Sequence, residues 1–292
     1  MNVIKPGYKI MGIFPDEKDC LQWLERIGRT CYKSEDRITE ESAPKFVRSI
    51  LKLDRMDKLH KRVRTIIELG HADKAVEEVM RAVQDMLADP PHESVIEHSL
   101  ITVRFVFDRG ISHEMVRHRL CAFSQESTRY CNYAKEKPIK ADYVGGKCPD
   151  CGEPIADEME EGEECVNCRR VFNRPEPGIN VISPSFWDKE PEGSDGNKQY
   201  SRWFSALVIA QGQYDALIEN GAKPQEARSV LPNSLKTEIV VTANFREWRH
   251  IFRLRTSKRA HPQMREVMVP LLKELQAKKN LGLLFEDIEV QE

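Results

Sequence analysis

The sequence predicts an α+β fold interrupted by one small insertion, and three observations carry the prediction. Over most of the chain apolar residues recur three and four positions apart, the period of an amphipathic helix. Two stretches break that period. Ile101, Val103, Phe105 and Phe107 alternate with Thr102, Arg104 and Asp108, and residues 238–242 concentrate β-branched side chains, so both read as strands. Between residues 145 and 178 large apolar side chains give way to Gly, Pro, Glu and four cysteines, a composition too poor in core material to fold by burial alone. The 292 residues are enough for one large domain, residues 1–292, interrupted by this insertion at 145–178.

Taken in order, residues 17–29 form a first helix, with Cys20, Leu21, Leu24 and Ile27 on one face, Asp16 placed to cap it and Gly28 placed to stop it. A second helix covers residues 42–53. The charged segment 54–89 is helical too, and its stripe of Val76, Val79, Met80, Val83 and Leu87 is read as packing on the outside of the core. Pro90 and Pro91 end it. The stretch His92 to His98 has histidines at both ends, but they stand six apart, whereas a zinc-protease helix needs them four apart on one face. After the first strand, Arg109 and Gly110 turn the chain into a short helix that delivers residues 117–119. Beyond the insertion, a loop rich in Pro, Gly and Ser runs to about Lys198. A helix then covers 199–220, closed by Gly221, and Pro224 opens the next. Asn244 caps a helix with Glu247 three residues on as its box partner. On that helix Trp248, Ile251 and Phe252 form the apolar stripe, Arg246, Arg249, His250 and Arg253 take other faces, and Arg255 stands at the edge of the stripe. A last helix covers 262–279.

Composition narrows the function classes. With 40% apolar and 32% charged residues and a formal net charge of -2, the chain is not coated for bulk binding to nucleic acid, so any basic function must be local. No window approaches eighteen uninterrupted apolar residues and residues 1–15 lack the pattern of a secretion signal, which gives the expectation of a cytoplasmic protein without membrane partners. Cys148 and Cys151, then thirteen residues, then Cys165 and Cys168, have the count and spacing of a tetrahedral structural zinc site. Disulfides fit poorly with the absent secretion signal. Cys20, Cys31, Cys121 and Cys131 read as small buried hydrophobes.

One stretch reverses the overall charge. From Arg117 to Tyr130 there are three arginines, one histidine and three aliphatic hydroxyls, with Glu126 the single acid. Guanidinium forks and hydroxyls are the donors that hold phosphate oxygens, so the stretch reads as an anion site. A solvated basic face would account for the arginines but not for the hydroxyls.

Arg117-His118-Arg119, seven residues, then Ser127 and Arg129-Tyr130 resemble the signature of the flavin-dependent thymidylate synthases. The resemblance extends through five segments in the family's order: 28–32, 92–98, the arginine signature, 227–232 and 243–255. It implies a central, mostly antiparallel sheet flanked by helices, to which the Cys₄ zinc ribbon is an addition. It also implies that Ser94, Arg117, His118, Arg119, Gln125, Asn244, Arg246 and His250 hold FAD. By the same resemblance Glu114, Arg117, Gln125, Glu126, Ser127, Thr128, Arg129, Arg228 and Arg255 contact dUMP, and Arg255 stabilises charge on the uracil. Three positions depart from the family's usual residues: Glu114 stands for glutamine, Gln125 for glutamate and His250 for asparagine. The implied reaction is reductive methylation of dUMP to dTMP, with methylenetetrahydrofolate as the carbon donor and NADPH reducing FAD, in a homotetramer whose active sites are shared between subunits. The absence of a recognisable nucleophile–base pair agrees with chemistry supplied by a flavin.

Two other readings remain open at the level of sequence. A related flavin enzyme that modifies another pyrimidine nucleotide would carry the same motifs. A zinc-ribbon protein gripping nucleic-acid phosphates would be colourless and would bind less tightly in salt, whereas the flavin enzyme is yellow.

Overall fold

The computed structural model describes residues 1–31, 33–135, 178–187 and 198–291. The four paired cysteines, and all of the predicted insertion except Gly178, lie outside the described residues. The chain begins with strands β1 (Asn2–Ile4) and β2 (Gly7–Phe14) and helices α1 (Cys20–Thr30), α2 (Ser42–Leu51), α3 (Leu53–Glu68) and α4 (Ala72–Ala88). Strand β3 (Leu100–Asp108), helix α5 (Arg109–Met115), strand β4 (Ala122–Gln125) and strand β5 (Asn180–Ile182) follow. The chain ends with α6 (Lys198–Glu219), α7 (Pro224–Ala227), β6 (Lys236–Asn244), α8 (Phe245–Arg255) and α9 (Pro262–Ala277).

These elements fold as two units. Met1–Gly12, Thr102–Ala243 and Leu254–Leu271 make the first, and Ile13–Ile101, Asn244–Arg253 and Leu272–Glu292 the second. Most of the four-stranded sheet, in the order β2-β3-β6-β4, belongs to the first unit. Both predicted strands are present, and both are longer or better paired than the sequence indicates. From Thr237 along β6 buried and half-buried residues alternate, because one face packs on the core while the other carries Glu238, Val240, Thr242 and Asn244. Strand β4 runs antiparallel to β6, with Ala122 opposite Thr242 and Gln125 opposite Ile239. A separate parallel pair, β1 with β5, is unforeseen in the sequence; its three-residue strands are too short to show alternation. Tyr133, Ile179, Val181, Leu207, Tyr214 and Leu235 form a buried cluster in this unit, where the Tyr133 amide donates to the Tyr214 hydroxyl at 3.2 Å.

In the second unit the expected helices form with shifted ends. Helix α1 starts at Cys20 rather than 17, with Asp19 at its cap and no side-chain cap bond, after a turn in which the Asp16 carbonyl accepts from the Asp19 amide at 2.9 Å. It also continues past Gly28. That glycine is a point of close approach: a Cβ there would overlap the Phe46 ring and lie 3.3 Å from Val95 Cγ1. Helix α2 ends at Leu51 because Lys52 adopts φ 56°, a left-handed conformation that closes the helix. The stripe on α4 does not reach the core. Val76, Met80 and Leu87 are 62%, 57% and 78% exposed, while Ala75 is the buried position of the helix.

Arg249, expected on a face other than the apolar stripe, is buried. It is 1% exposed and makes a fork with both Asp287 oxygens at 2.7 Å, while its Nε donates to Glu93 at 3.1 Å and Nη1 to the Leu284 carbonyl. Burial pushes the Asp287 carboxyl up, but Arg249's hydrogen bonds and charge outweigh burial and hold it below the usual carboxylate range. A depressed carboxylate contributes stability above its unfolded pKa and loses it as pH falls through the folded one. Arg249→Met should therefore cost about 3–5 kcal/mol near neutral pH, the cost of stranding one buried ion. Urea denaturation at pH 7 and pH 3 should show the gap between wild type and variant narrowing in acid.

Candidate active site

The arginine signature is placed by a helix cap and a strand pairing. Asp108 ends β3 and accepts from the Ile111 amide at 2.7 Å, which starts α5. Burial pushes the Asp108 carboxyl up, against the opposing pull of that amide bond and of His261. Helix α5 carries Glu114, and the turn after it sets out Arg117, His118 and Arg119, with His118 buried and both arginines exposed. Strand β4 then runs to Gln125, whose amide nitrogen donates to Ser112 Oγ at 2.9 Å and Thr237 Oγ1 at 3.2 Å.

Glu126 fastens the next loop to β6. Its amide donates to the Glu238 carbonyl at 2.9 Å, and its Oε2 accepts from the Glu238 amide at 3.2 Å and from Lys236 Nζ at 2.9 Å. The Lys236 side chain is 3% exposed and also reaches Glu238 at 3.2 Å, while Arg104 on β3 supplies Glu238 with a second cation. Burial pushes the Glu238 carboxyl up, but Arg104 and Lys236 together hold it below the usual range. Beyond this anchor Ser127 organises a turn: its carbonyl accepts from the Tyr130 and Cys131 amides, and its hydroxyl from the Arg129 amide at 3.3 Å. Thr128 is buried and accepts from Arg228 Nη1 at 3.2 Å, which joins two signature segments. Arg129 lies 5.6 Å over the Tyr130 ring.

The expected ligand-binding arginines of the first unit divide into two groups. Among the described residues Arg117, Arg119, Arg129 and Arg228 have no carboxylate partner, and all four are exposed. Arg255 is different. Nη1 donates to Glu114 Oε2 at 2.6 Å, Nη2 to the Glu114 carbonyl at 3.0 Å and Nε to His118 Nε2 at 3.0 Å. Arg255, expected at the edge of the apolar stripe of α8, thus enters a polar cluster with Glu114 and His118.

The remaining expected flavin residues lie in the second unit. Ser94 is exposed on the 3₁₀ turn Glu93–His98. Asn244 caps α8 as foreseen, accepting from the Glu247 amide at 2.8 Å. Arg246 is paired with Glu97 and, at 3.7 Å, with Glu93; its pKa is raised, chiefly by the Glu97 bond. His250 is exposed on the same helix. The supporting residues Ser112, Arg104, Lys236, Thr237 and Glu238 were missed from sequence. The available signal was the pair of opposite charges two residues apart, Lys236 and Glu238, at the start of a β-branched stretch.

The profile of the thymidylate synthase complementing protein family matches residues 16–279, and so includes every element just described from α1 to the last turns of α9. The chain belongs to that family. The resemblance read from the signature is thereby confirmed. A flavin-dependent thymidylate synthase from Corynebacterium efficiens is 30% identical over 205 residues, covering 68% of this chain and 66% of that one. The corresponding protein of Pyrococcus horikoshii is 29% identical over 196 residues, covering 67% and 62%. The matched region thus spans a little under two thirds of these relatives' length. Among solved structures, the UMP/dUMP methylase PolB from Streptomyces cacaoi bound with 5-Br dUMP superposes with a TM-score of 0.58 at 16% identity, covering 98% of this chain and 96% of that one. Thymidylate synthase X from Helicobacter pylori with FAD and dUMP gives 0.52 at 18% identity, covering 97% and 98%. At such identities these likenesses establish the family fold.

Within that fold the Glu126 anchor is open to test. Lys236→Met removes the buried cation between two carboxylates and should cost about 3 kcal/mol in chemical denaturation. Glu126→Gln combined with Lys236→Met should recover part of that loss, since one stranded charge goes with its partner.

Proposed function

We propose that the chain is a flavin-dependent thymidylate synthase, converting dUMP to dTMP by reductive methylation with methylenetetrahydrofolate as carbon donor and NADPH as reductant of bound FAD. The observation that carries the reading is the set of four exposed arginines that, among the described residues, have no carboxylate partner, Arg117, Arg119, Arg129 and Arg228, while the other site arginines, Arg246 and Arg255, are paired. FAD and dUMP together bring three phosphate groups, which gives those charges a use that a solvated face does not.

Ser127, Thr128, Arg129 and Arg228 would hold the nucleotide phosphate, with Glu126 setting their loop rather than touching ligand. Arg117, His118, Arg119 and Gln125 would hold the flavin together with Ser94, Asn244, Arg246 and His250, within a homotetramer of shared sites. The donor set fits an anionic dinucleotide, and Arg246 would exchange Glu97 for it. A bound flavin supplies the reducing equivalents. Arg255 would stabilise negative charge spreading over the pyrimidine as carbon 5 becomes nucleophilic. Cys148, Cys151, Cys165 and Cys168 would bind one structural zinc, with no open position for substrate. A cytoplasmic location completes the reading; among the described residues no helix is long and apolar enough to cross a membrane.

Purified protein should be yellow and should form dTMP only when dUMP, the folate and NADPH are all present; UMP assayed beside dUMP separates this activity from that of a related pyrimidine methylase. A colourless protein that takes up no added FAD would remove the proposal. Arg255→Ala should lower the rate about a hundredfold, roughly 3 kcal/mol, with flavin retained. Elemental analysis should find one zinc per chain, lost in Cys148→Ser/Cys151→Ser while FAD stays bound.

A further inference from the structure

Arginine is used in two ways in this chain, and the contrast bears on Glu114. Arg249 is closed: its fork on Asp287 and its bonds to Glu93 and Leu284 commit four donor contacts at 1% exposure. Arg255 is held but not closed. Its side chain is 18% exposed, and its three contacts all come from the single stretch Glu114 to His118. A guanidinium has five N–H groups, so three contacts leave two for a ligand. The carboxylate grip is one-sided, Nη1 on Oε2, with Nη2 taken by a backbone oxygen, so the fork is not spent on Glu114 as Arg249's is on Asp287.

The pairing also sets charge. Arg255 is balanced by Glu114, whereas among the described residues the four arginines suited to phosphate have no carboxylate partner. A balanced guanidinium has little advantage for a standing dianion but keeps its directional donors for an oxygen whose charge grows during a reaction. We infer that Glu114 is a positioning residue, orienting Arg255 toward the pyrimidine and reserving it for the ring rather than for phosphate. This rests on the function proposed above. Glu114 acts through Arg255, with His118 as the second stop that fixes Nε.

The test is a double-mutant cycle in the FAD-loaded enzyme. Glu114→Ala should lower kcat about tenfold with KM for dUMP changed less than about threefold and flavin content unchanged, and Glu114→Ala/Arg255→Ala should be no slower than Arg255→Ala, because the two act as one unit. Multiplicative losses, or a Glu114→Ala enzyme with wild-type kcat, would overturn the inference. Should Glu114→Ala fail to fold, Glu114→Asp keeps the charge but withdraws the oxygen by one methylene. It should lose about fivefold in kcat, again with no further loss in the Arg255→Ala background; full activity in that variant would overturn the inference equally. Wild type assayed alongside separates the two failures. No dTMP from wild type removes the proposed function and this inference with it, whereas an active wild type with multiplicative losses in the variants removes the role of Glu114 alone.

Discussion

The signature loop depends on a buried lysine. Lys236 lies between Glu126 and Glu238 with its side chain almost wholly shielded, and Arg104 balances the second carboxylate from the neighbouring strand. Desolvating such ions is unfavourable, and the arrangement holds because Glu126 Oε2 and both Glu238 oxygens meet a cation or an amide. Its geometric effect is local and strict. Glu126 exchanges bonds with the backbone of Glu238, so the loop leaves the sheet at one register set by the pairing of β4 with β6. A slip of one residue would turn every side chain of β4 to the other face and carry the loop with it.

That anchorage explains how an overall acidic chain keeps a cationic site. The acids near the signature are each committed: Glu126 and Glu238 to Lys236, Glu114 to Arg255, Asp108 to the start of α5. Among the described residues of the signature, what remains without a carboxylate partner is positive: Arg117, Arg119, Arg129 and Arg228 stand exposed outside the strands, where side chains reach solvent without disturbing a ladder. Local potential therefore follows from pairing, not from composition, and a net charge near zero says little about any one surface.

Sequence reasoning was strongest where local chemistry decides the outcome. Strand β3, the capping of α8 by Asn244 and the glycine after α6 each depend on neighbours within a few residues, so period and cap residues reveal them. It was weak where long-range pairing decides. Arg249 sits next to Trp248 and looks like a solvent-facing residue until Asp287 arrives from the far end of the chain. Lys236 reads as an ordinary charge at the start of a strand until Glu126 is brought across from β4. The stripe on α4 has correct helical spacing, yet spacing alone does not state what faces it, and the core does not. Arg255 was identified by resemblance; the carboxylate and imidazole that hold it are facts of tertiary structure.

Gly28 has a wider consequence. Its lack of a side chain lets α1 approach the Phe46 ring and Val95, so what it encodes is a distance between packed elements. The segment around it was one of five that carried the family resemblance, but no reacting atom is involved in its requirement. Matching motifs are therefore of two kinds, those that record how elements nest and those that record what they handle. A protein that had exchanged its reaction for another would have reason to keep the first kind unchanged, so agreement at residue 28 bears on ancestry and shape, while the chemistry must be read from positions 114 to 129, 228 and 255.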